Sequence, residues 1–173
     1  MPFIDGLESG VMRPVFLPDG SLLLGQTGRG WQAKGGHVAS MQRIVWDGKT
    51  VAPAIHSTHA TNSGFALQLT QPLSDKIDTT QLKTLLSVES WVYRDAPDYG
   101  SDELGKAMER ITNISISPDR KQITMSLAEL GHASVHPQQT ARVYHITLNN
   151  QNLFKDAASA QLQAYYTLYK FAK

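Results

Sequence analysis

The chain of 173 residues carries 16 basic and 15 acidic residues, which leaves a net charge of +1, and it contains no cysteine. This length suffices for one domain, or for one domain with an appendage, without disulfide or metal staples. The balanced charge gives no indication of a nucleic acid as partner, and the absence of cysteine excludes disulfides, thiolate metal sites and cysteine nucleophiles.

Membrane and export signals are missing from the sequence as it stands. No apolar run reaches the roughly 18 residues of a membrane span, so we expect no membrane insertion. The opening residues MPFIDGLESG lack the basic and apolar regions of a signal peptide. Any export signal of a parent protein is therefore expected upstream.

The first elements in chain order are short strands. Pro18-Asp19-Gly20 separates the apolar runs at 15–16 and 21–25, and this turn chemistry predicts a hairpin. Residues 26–36 are too rich in glycine to continue the strand. The run MQRIVW at 41–46 predicts a further strand, which ends at an Asp47-Gly48 turn.

The pattern changes near residues 47–51, where we place a boundary between domains 1–50 and 51–173. Alternation of apolar and polar residues predicts strands at 54–61, 65–69, 87–93, 111–117, 122–127, 143–148 and 164–171. One short helix is predicted at 78–85, with Asp78 or Thr79 as its N-cap. About seven strands at this spacing predict an all-β protein, an immunoglobulin- or fibronectin-like β-sandwich with an N-terminal β-hairpin extension.

Several strings in the chain resemble a known family. PDGSLLLGQTGRGW at 18–31 and MQRIVWDGKT at 41–50 resemble the closing blade of sorbosone/glucose dehydrogenase-like β-propeller proteins. GFALQLTQPLS at 64–74, WVYRDAPDYGSDE at 91–103 and ISISPDRKQITMSL at 114–127 resemble the immunoglobulin-like module that trails this propeller. The resemblance covers nearly the whole chain. It implies that residues 1–50 form part of a propeller blade.

The resemblance implies an exported protein, periplasmic or extracellular, whose propeller oxidises sugars with a quinone cofactor. Most blades of that propeller are absent from this sequence, so its catalytic and cofactor residues have no counterpart here. We therefore expect no enzyme activity and no cofactor in this chain, and we expect the propeller domain of the parent protein as its partner.

The richest cluster of aromatic and acidic residues follows the strand at 87–93. Its members are Trp91, Tyr93, Asp95, Asp98, Tyr99, Asp102 and Glu103. Aromatic rings flanked by carboxylates suit a sugar, so an oligo- or polysaccharide is a candidate ligand. One alternative is a core tryptophan followed by a solvated acidic loop. The other is a calcium site, although the spacing of the acidic residues matches no EF-hand-type loop.

A second candidate sugar site is formed by Arg29 and Trp31, whose guanidinium and indole suit hydroxyl groups and a sugar face. The alternative is that Trp31 packs the blade against the module that follows it. The packing interpretation is the favoured one. The glycines around these residues are followed by a strand and not by a helix, so they do not predict a phosphate-binding loop.

Metal and hydrolytic sites find little support in the sequence. His56 and His59 are three residues apart on a strand and so point to opposite faces, and His132 and His136 lie in a loop. A metal site needs these histidines to converge in the fold. No G-x-S-x-G string is present to form a hydrolase elbow.

Three functional hypotheses follow from the sequence. The first is a non-catalytic accessory or interaction module of a larger exported sugar dehydrogenase-like protein. The second is a carbohydrate-binding module that uses surface aromatic residues. The third is a metal-binding protein or an independent enzyme.

Overall fold

The structure is a computed structural model that describes residues 4, 6–29, 36–94, 97, 99–130, 141–149, 152–154 and 162–169. Regular structure in these residues consists of eleven strands and one short helix. The chain divides into two compact units, Met1–Thr50 and Val51–Lys173. The prediction of an all-β, sandwich-like protein is confirmed by three antiparallel sheets.

The first unit contains a three-stranded antiparallel sheet, here called the N-terminal sheet. Its strands are β1 (Gly10–Phe16), β2 (Leu22–Thr27) and β3 (Ala39–Ile44), in that order. In the predicted β1–β2 hairpin, Asp19 Oδ1 accepts the Ser21 backbone N–H at 3.0 Å and the Ser21 hydroxyl at 2.7 Å. The Ser21 hydroxyl, followed by its backbone N–H, lowers the pKa of Asp19, so a charged acceptor fixes this turn.

The second unit is a sandwich of two four-stranded sheets. Its strands are β4 (Ile55–Ala60), β5 (Gly64–Leu69), β6 (Leu86–Tyr93), β7 (Glu103–Met108), β8 (Ile111–Ile116), β9 (Gln122–Leu127), β10 (Arg142–Leu148) and β11 (Leu162–Leu168). One sheet has the order β4-β5-β9-β8 and the other the order β11-β10-β6-β7. Lettered A, B, C, C′, D, E, F and G in chain order, these strands form sheets ABED and GFCC′, which is the immunoglobulin arrangement.

The core of the sandwich lies between the two sheets and contains no disulfide. Phe65 on β5 contacts the ring of Tyr144 on β10 with 5.0 Å between centroids, and the ring of Tyr166 on β11 at 5.3 Å. Strands β5 and β10 correspond to B and F, which a disulfide joins in antibody domains. A tilted ring pair at this separation stabilises the fold by about 0.5–1.5 kcal/mol beyond the contribution of the surface area that it buries. An aromatic contact therefore joins the two sheets at this place.

The helix α1 (Thr79–Leu85) connects β5 to β6, as predicted, with Asp78 as its N-cap. Asp78 Oδ1 accepts the Gln81 backbone N–H at 2.7 Å, and Gln81 Oε1 accepts the Asp78 N–H at 3.0 Å. This reciprocal capping box satisfies donors that a helix start leaves open. Leu82 is fully buried, so the two turns are held by packing as well as by the cap.

Strand β7 was not predicted from the sequence. Glu103–Met108 pairs with β6, and its register shifts between Ser90 and Val92 of β6. Gly105 has a positive φ of 60°, as expected where a bulge interrupts the alternation of side chains. The strand therefore shows no period of two in the sequence.

Candidate functional site

The residues that alternate with the core positions of β6 lie on the outer face of the sheet β11-β10-β6-β7. Leu86 and Val88 belong to the core cluster of the sandwich, whereas Trp91 does not. Side chains two residues apart share a face, so Glu89, Trp91 and Tyr93 lie together on the outside. Trp91 is nevertheless only 4 % exposed.

Neighbouring rings on the same face account for part of this burial. The Trp91 centroid lies 6.3 Å from Tyr93, 6.3 Å from His145 and 6.4 Å from Tyr165, each in an edge-on arrangement. His145 on β10 and Tyr165 on β11 are directly paired across the two strands, and their rings stack in parallel with 4.3 Å between centroids. We call these four residues, together with Lys106, the outer aromatic face.

The strand register explains why these residues meet. His145 is opposite Tyr165 on one side and opposite Glu89 on the other, so three strands place one residue each in a single row. Directly paired residues have Cβ atoms about 4.5–5.5 Å apart. Trp91 is two residues along β6 from Glu89, which brings its indole beside that row.

Lys106 of β7 extends over the indole of Trp91. Its Nζ lies 5.3 Å from the ring centroid, within the range of a cation–π contact. The same ammonium donates to Glu103 Oε2 at 2.9 Å and pairs with Glu89 Oε2 at 3.3 Å. The hydrogen bonds to Glu103 and then to Glu89 raise the pKa of Lys106, so the ammonium stays protonated and held between two carboxylates.

The indole N–H of Trp91 is buried and has no acceptor among the residues that the structure describes. A buried donor without a partner costs about 1–3 kcal/mol. The sandwich core does not require this cost, since Trp91 lies outside the core cluster. The position of the indole is therefore set by the rings and the lysine around it.

Of the sugar-site residues predicted from the sequence, Trp91, Tyr93 and Glu103 lie close together. Tyr93 is directly paired with Glu103 across β6 and β7. Tyr99 and Asp102 lie in the connection between these strands with exposed side chains, and Tyr99 is completely exposed. Asp95 and Asp98 lie outside the described residues.

The second predicted sugar site belongs to the first unit and is described only in part. Arg29 is exposed, and its backbone N–H donates to Thr27 Oγ1 at 3.1 Å. Trp31 lies outside the described residues, so no geometry links it to Arg29. Nearby, Gly28 permits a close approach, because a Cβ there would lie 2.3 Å from the carbonyl oxygen of His37.

Sequence reasoning missed His145, Tyr165 and Lys106. The signal available for the first two was alternation, since VYHITL and LQAYYTL each place every second residue outward. Alternation does not show which strands are neighbours in a sheet. The strand pairing in the structure was therefore needed to place His145 and Tyr165 beside Trp91.

Sequence reasoning also missed a buried ionic group on the inner side of the same sheet. Arg142 Nε donates to Ser90 Oγ at 2.8 Å and lies 3.9 Å from Glu109 Oε1. The Ser90 hydroxyl donates to Glu109, and Arg142 Nη2 donates to the Gly105 carbonyl at 3.1 Å. Strands β10, β6 and β7 are thus joined by charged hydrogen bonds near their ends.

The predicted histidines do not form a metal centre in the part of the chain that is described. No group of three or more potential ligands occurs among those residues. His56 and His59 both lie on β4 with exposed side chains, and His59 Nε2 is 3.1 Å from Ser57 Oγ. His132 and His136 lie outside the described residues.

Searches for related proteins found no match among protein-family models, curated proteins or solved structures. Within the described residues, no helix is long and apolar enough to cross a membrane.

Proposed function

We propose that this chain is a non-catalytic interaction module of a larger exported protein, and that its N-terminal sheet docks onto the β-propeller of that protein. The observation that carries the proposal is how little apolar surface this sheet buries. Among the described residues up to Thr50, Leu24 is the only buried hydrophobic residue. Every other buried hydrophobic residue of the described chain lies in the second unit.

Large apolar side chains of the first unit are exposed instead. Phe16 is 77 % exposed and Met41 is 71 % exposed. The others are Ile4, Val11, Met12, Val15, Val38, Val45 and Trp46. Full burial of one such side chain contributes about 1.5–3 kcal/mol, so a partner that covers several of them would supply stability that a sheet with so little buried apolar surface lacks.

Both faces of the N-terminal sheet carry these side chains. Phe16 and Val15 are neighbours on β1 and therefore lie on opposite faces. A propeller blade has a neighbouring blade on each side, and it contains four strands. The N-terminal sheet, with three strands and two apolar faces, fits such a blade with one strand supplied by another part of the parent.

The resemblance of residues 18–31 and 41–50 to a closing blade supports the same assignment. In the proposed arrangement, quinone-dependent sugar oxidation belongs to the parent's propeller and takes place outside this chain. The sandwich has its own core and serves as the appended domain. An exported parent places the whole assembly in the periplasm or outside the cell.

Hydrogen exchange of the 173-residue chain, followed by mass spectrometry, tests the proposal. We expect amides of β1–β3 to exchange rapidly and amides of β5, β9 and β10 to exchange slowly, because among the described residues the extended buried core belongs to the sandwich. Slow exchange in β1–β3, in a chain that light scattering shows to be monomeric, would contradict the need for a partner. Slow exchange in a dimer would assign the sheet to self-association.

A matched pair of variants in the parent protein locates the docking surface. Phe16→Ser removes an exposed ring from the N-terminal sheet, and Tyr169→Ser removes a comparably exposed ring that follows β11. We expect Phe16→Ser to lower the thermal stability of the parent's propeller and Tyr169→Ser to leave it unchanged. Equal effects would count against docking through the sheet.

A further inference from the structure

The outer aromatic face is a second surface whose arrangement the sandwich core does not explain. Trp91 holds an indole N–H without an acceptor in the described structure, while the rings of Tyr93 and Tyr165 beside it remain about half exposed. We propose that this face binds a neutral oligosaccharide, with Tyr93 and Tyr165 as stacking residues and Glu89 and Glu103 as acceptors for hydroxyl groups.

The charges on the face disfavour ionic ligands. Aromatic rings beside carboxylates attract cations, but the chain's own Lys106 already occupies the position over Trp91. The two carboxylates, Glu89 and Glu103, outnumber this single ammonium. An anionic ligand would therefore meet net negative charge, and a cationic ligand would have to displace Lys106.

The composition of the face favours a sugar over a protein partner. A protein interface has a core that is depleted of charged residues, whereas the ion pairs of Lys106 lie directly beside the Trp91 ring. The remaining outward positions on β6 and β11 are mostly polar, including Ser87, Gln163 and Thr167. The aromatic rings can stack on the C–H face of a sugar ring. The neighbouring polar groups can form hydrogen bonds with its hydroxyls.

The spacing of the exposed rings favours an oligosaccharide over a single sugar. Tyr165 lies on β11 and Tyr93 on β6, with β10 between them. Two strand spacings amount to about 10 Å. A ligand that contacts both rings must therefore extend across three strands.

Isothermal titration of the 173-residue chain with neutral oligosaccharides tests this proposal. Hexaoses of glucose, xylose and mannose, in their common linkages, serve as probes, and oligogalacturonate serves as the anionic comparison. We expect at least one neutral hexaose to bind and the anionic one not to bind. Tyr165→Ala should weaken the binding about tenfold, since loss of one stacking ring removes on the order of 1.4 kcal/mol.

His59→Ala is the control, because the His59 ring is exposed like that of Tyr165 but lies on β4 of the other sheet. It should leave the affinity unchanged. The proposal is overturned if no neutral hexaose binds, if only the anionic probe binds, or if Tyr165→Ala binds as tightly as the unaltered chain. A folded far-ultraviolet spectrum of each variant shows that a loss of binding is not a loss of the sandwich.

This inference is independent of the docking proposed for the N-terminal sheet. Its residues all belong to the second unit, whereas the exchange experiment reports on β1–β3. Failure of sugar binding would leave the exchange pattern unchanged, and slow exchange in β1–β3 would leave sugar binding unaffected.

Discussion

Removing the charge of Glu109 should destabilise the sandwich far more than removing the charge of an exposed glutamate. The Glu109 side chain is 4 % exposed and the Arg142 side chain 10 %. Glu109→Gln keeps the shape and one acceptor oxygen but removes the counter-ion of a buried guanidinium. Breaking a buried pair in this way costs about 3–5 kcal/mol.

The lower end of that range applies here, because Arg142 keeps its hydrogen bonds to Ser90 and to the Gly105 carbonyl. We expect a loss of about 3 kcal/mol, which lowers the melting temperature by roughly 10 °C in a domain of this size. Glu103→Gln is the matched control, since the same chemical change at an exposed ion pair should leave stability unchanged within error.

Urea denaturation followed by far-ultraviolet circular dichroism measures these losses, and a double-mutant cycle compares Glu109→Leu, Arg142→Met and the variant that carries both. Arg142→Met with Glu109→Leu removes both charges, and we expect this double variant to lie within about 1 kcal/mol of the unaltered chain. The reasoning is refuted if Glu109→Gln costs less than about 1 kcal/mol, or if the cycle shows additive losses, which would mean that the two groups act independently.

Three further predictions concern strand packing, the helix cap and a turn. Gly64→Ala should cost about 1–3 kcal/mol in urea denaturation, because the new Cβ would lie 2.2 Å from the Met125 carbonyl oxygen on the neighbouring strand. Asp78→Ala should cost about 1 kcal/mol in the same assay through loss of the N-cap; no loss would contradict the capping box. Hydrogen bonds from the Ser117 hydroxyl, the larger cause, and from the Lys121 N–H lower the pKa of Asp119. The charged carboxylate therefore stabilises this turn at pH values above the ordinary pKa of an aspartate, and this stability is lost as the pH falls through the lowered pKa. Ser117→Ala should raise the Asp119 pKa in an NMR titration, and an unchanged value would refute the assignment.

The sequence was sufficient to predict most strands because their residues alternate and their turns carry specific residues. Leu67 and Leu69 are each followed by a polar residue, Gln68 and Thr70, and the Pro118-Asp119 turn separates two alternating runs. The edge strand β7 escaped prediction because a glycine with positive φ and a bulge break its period. Local pattern therefore predicts a strand only where the ladder is regular.

The candidate site was predictable only as far as its residues are close in the sequence. Trp91 and Tyr93 attracted attention as a pair, but His145 and Tyr165 join them from strands more than fifty residues away along the chain. The buried ion pair depends on the same register, since Arg142 reaches Glu109 through Ser90 on the strand between them. Neither group has a local signature, because the pairing of strands decides which side chains meet.

The two units differ in what they require from other molecules. The sandwich buries an extensive cluster that includes Phe65 and Tyr144, so its fold leaves the outer face of β6, β10 and β11 free to carry side chains for another purpose. The N-terminal sheet buries one hydrophobic residue, Leu24, among those described, so its exposed side chains are better explained by a partner than by a ligand. A domain with its own core can hold a binding face, whereas a sheet that buries little apolar surface gains stability by completing another domain. This difference in burial among the described residues is why we propose sugar binding for the sandwich and docking for the sheet.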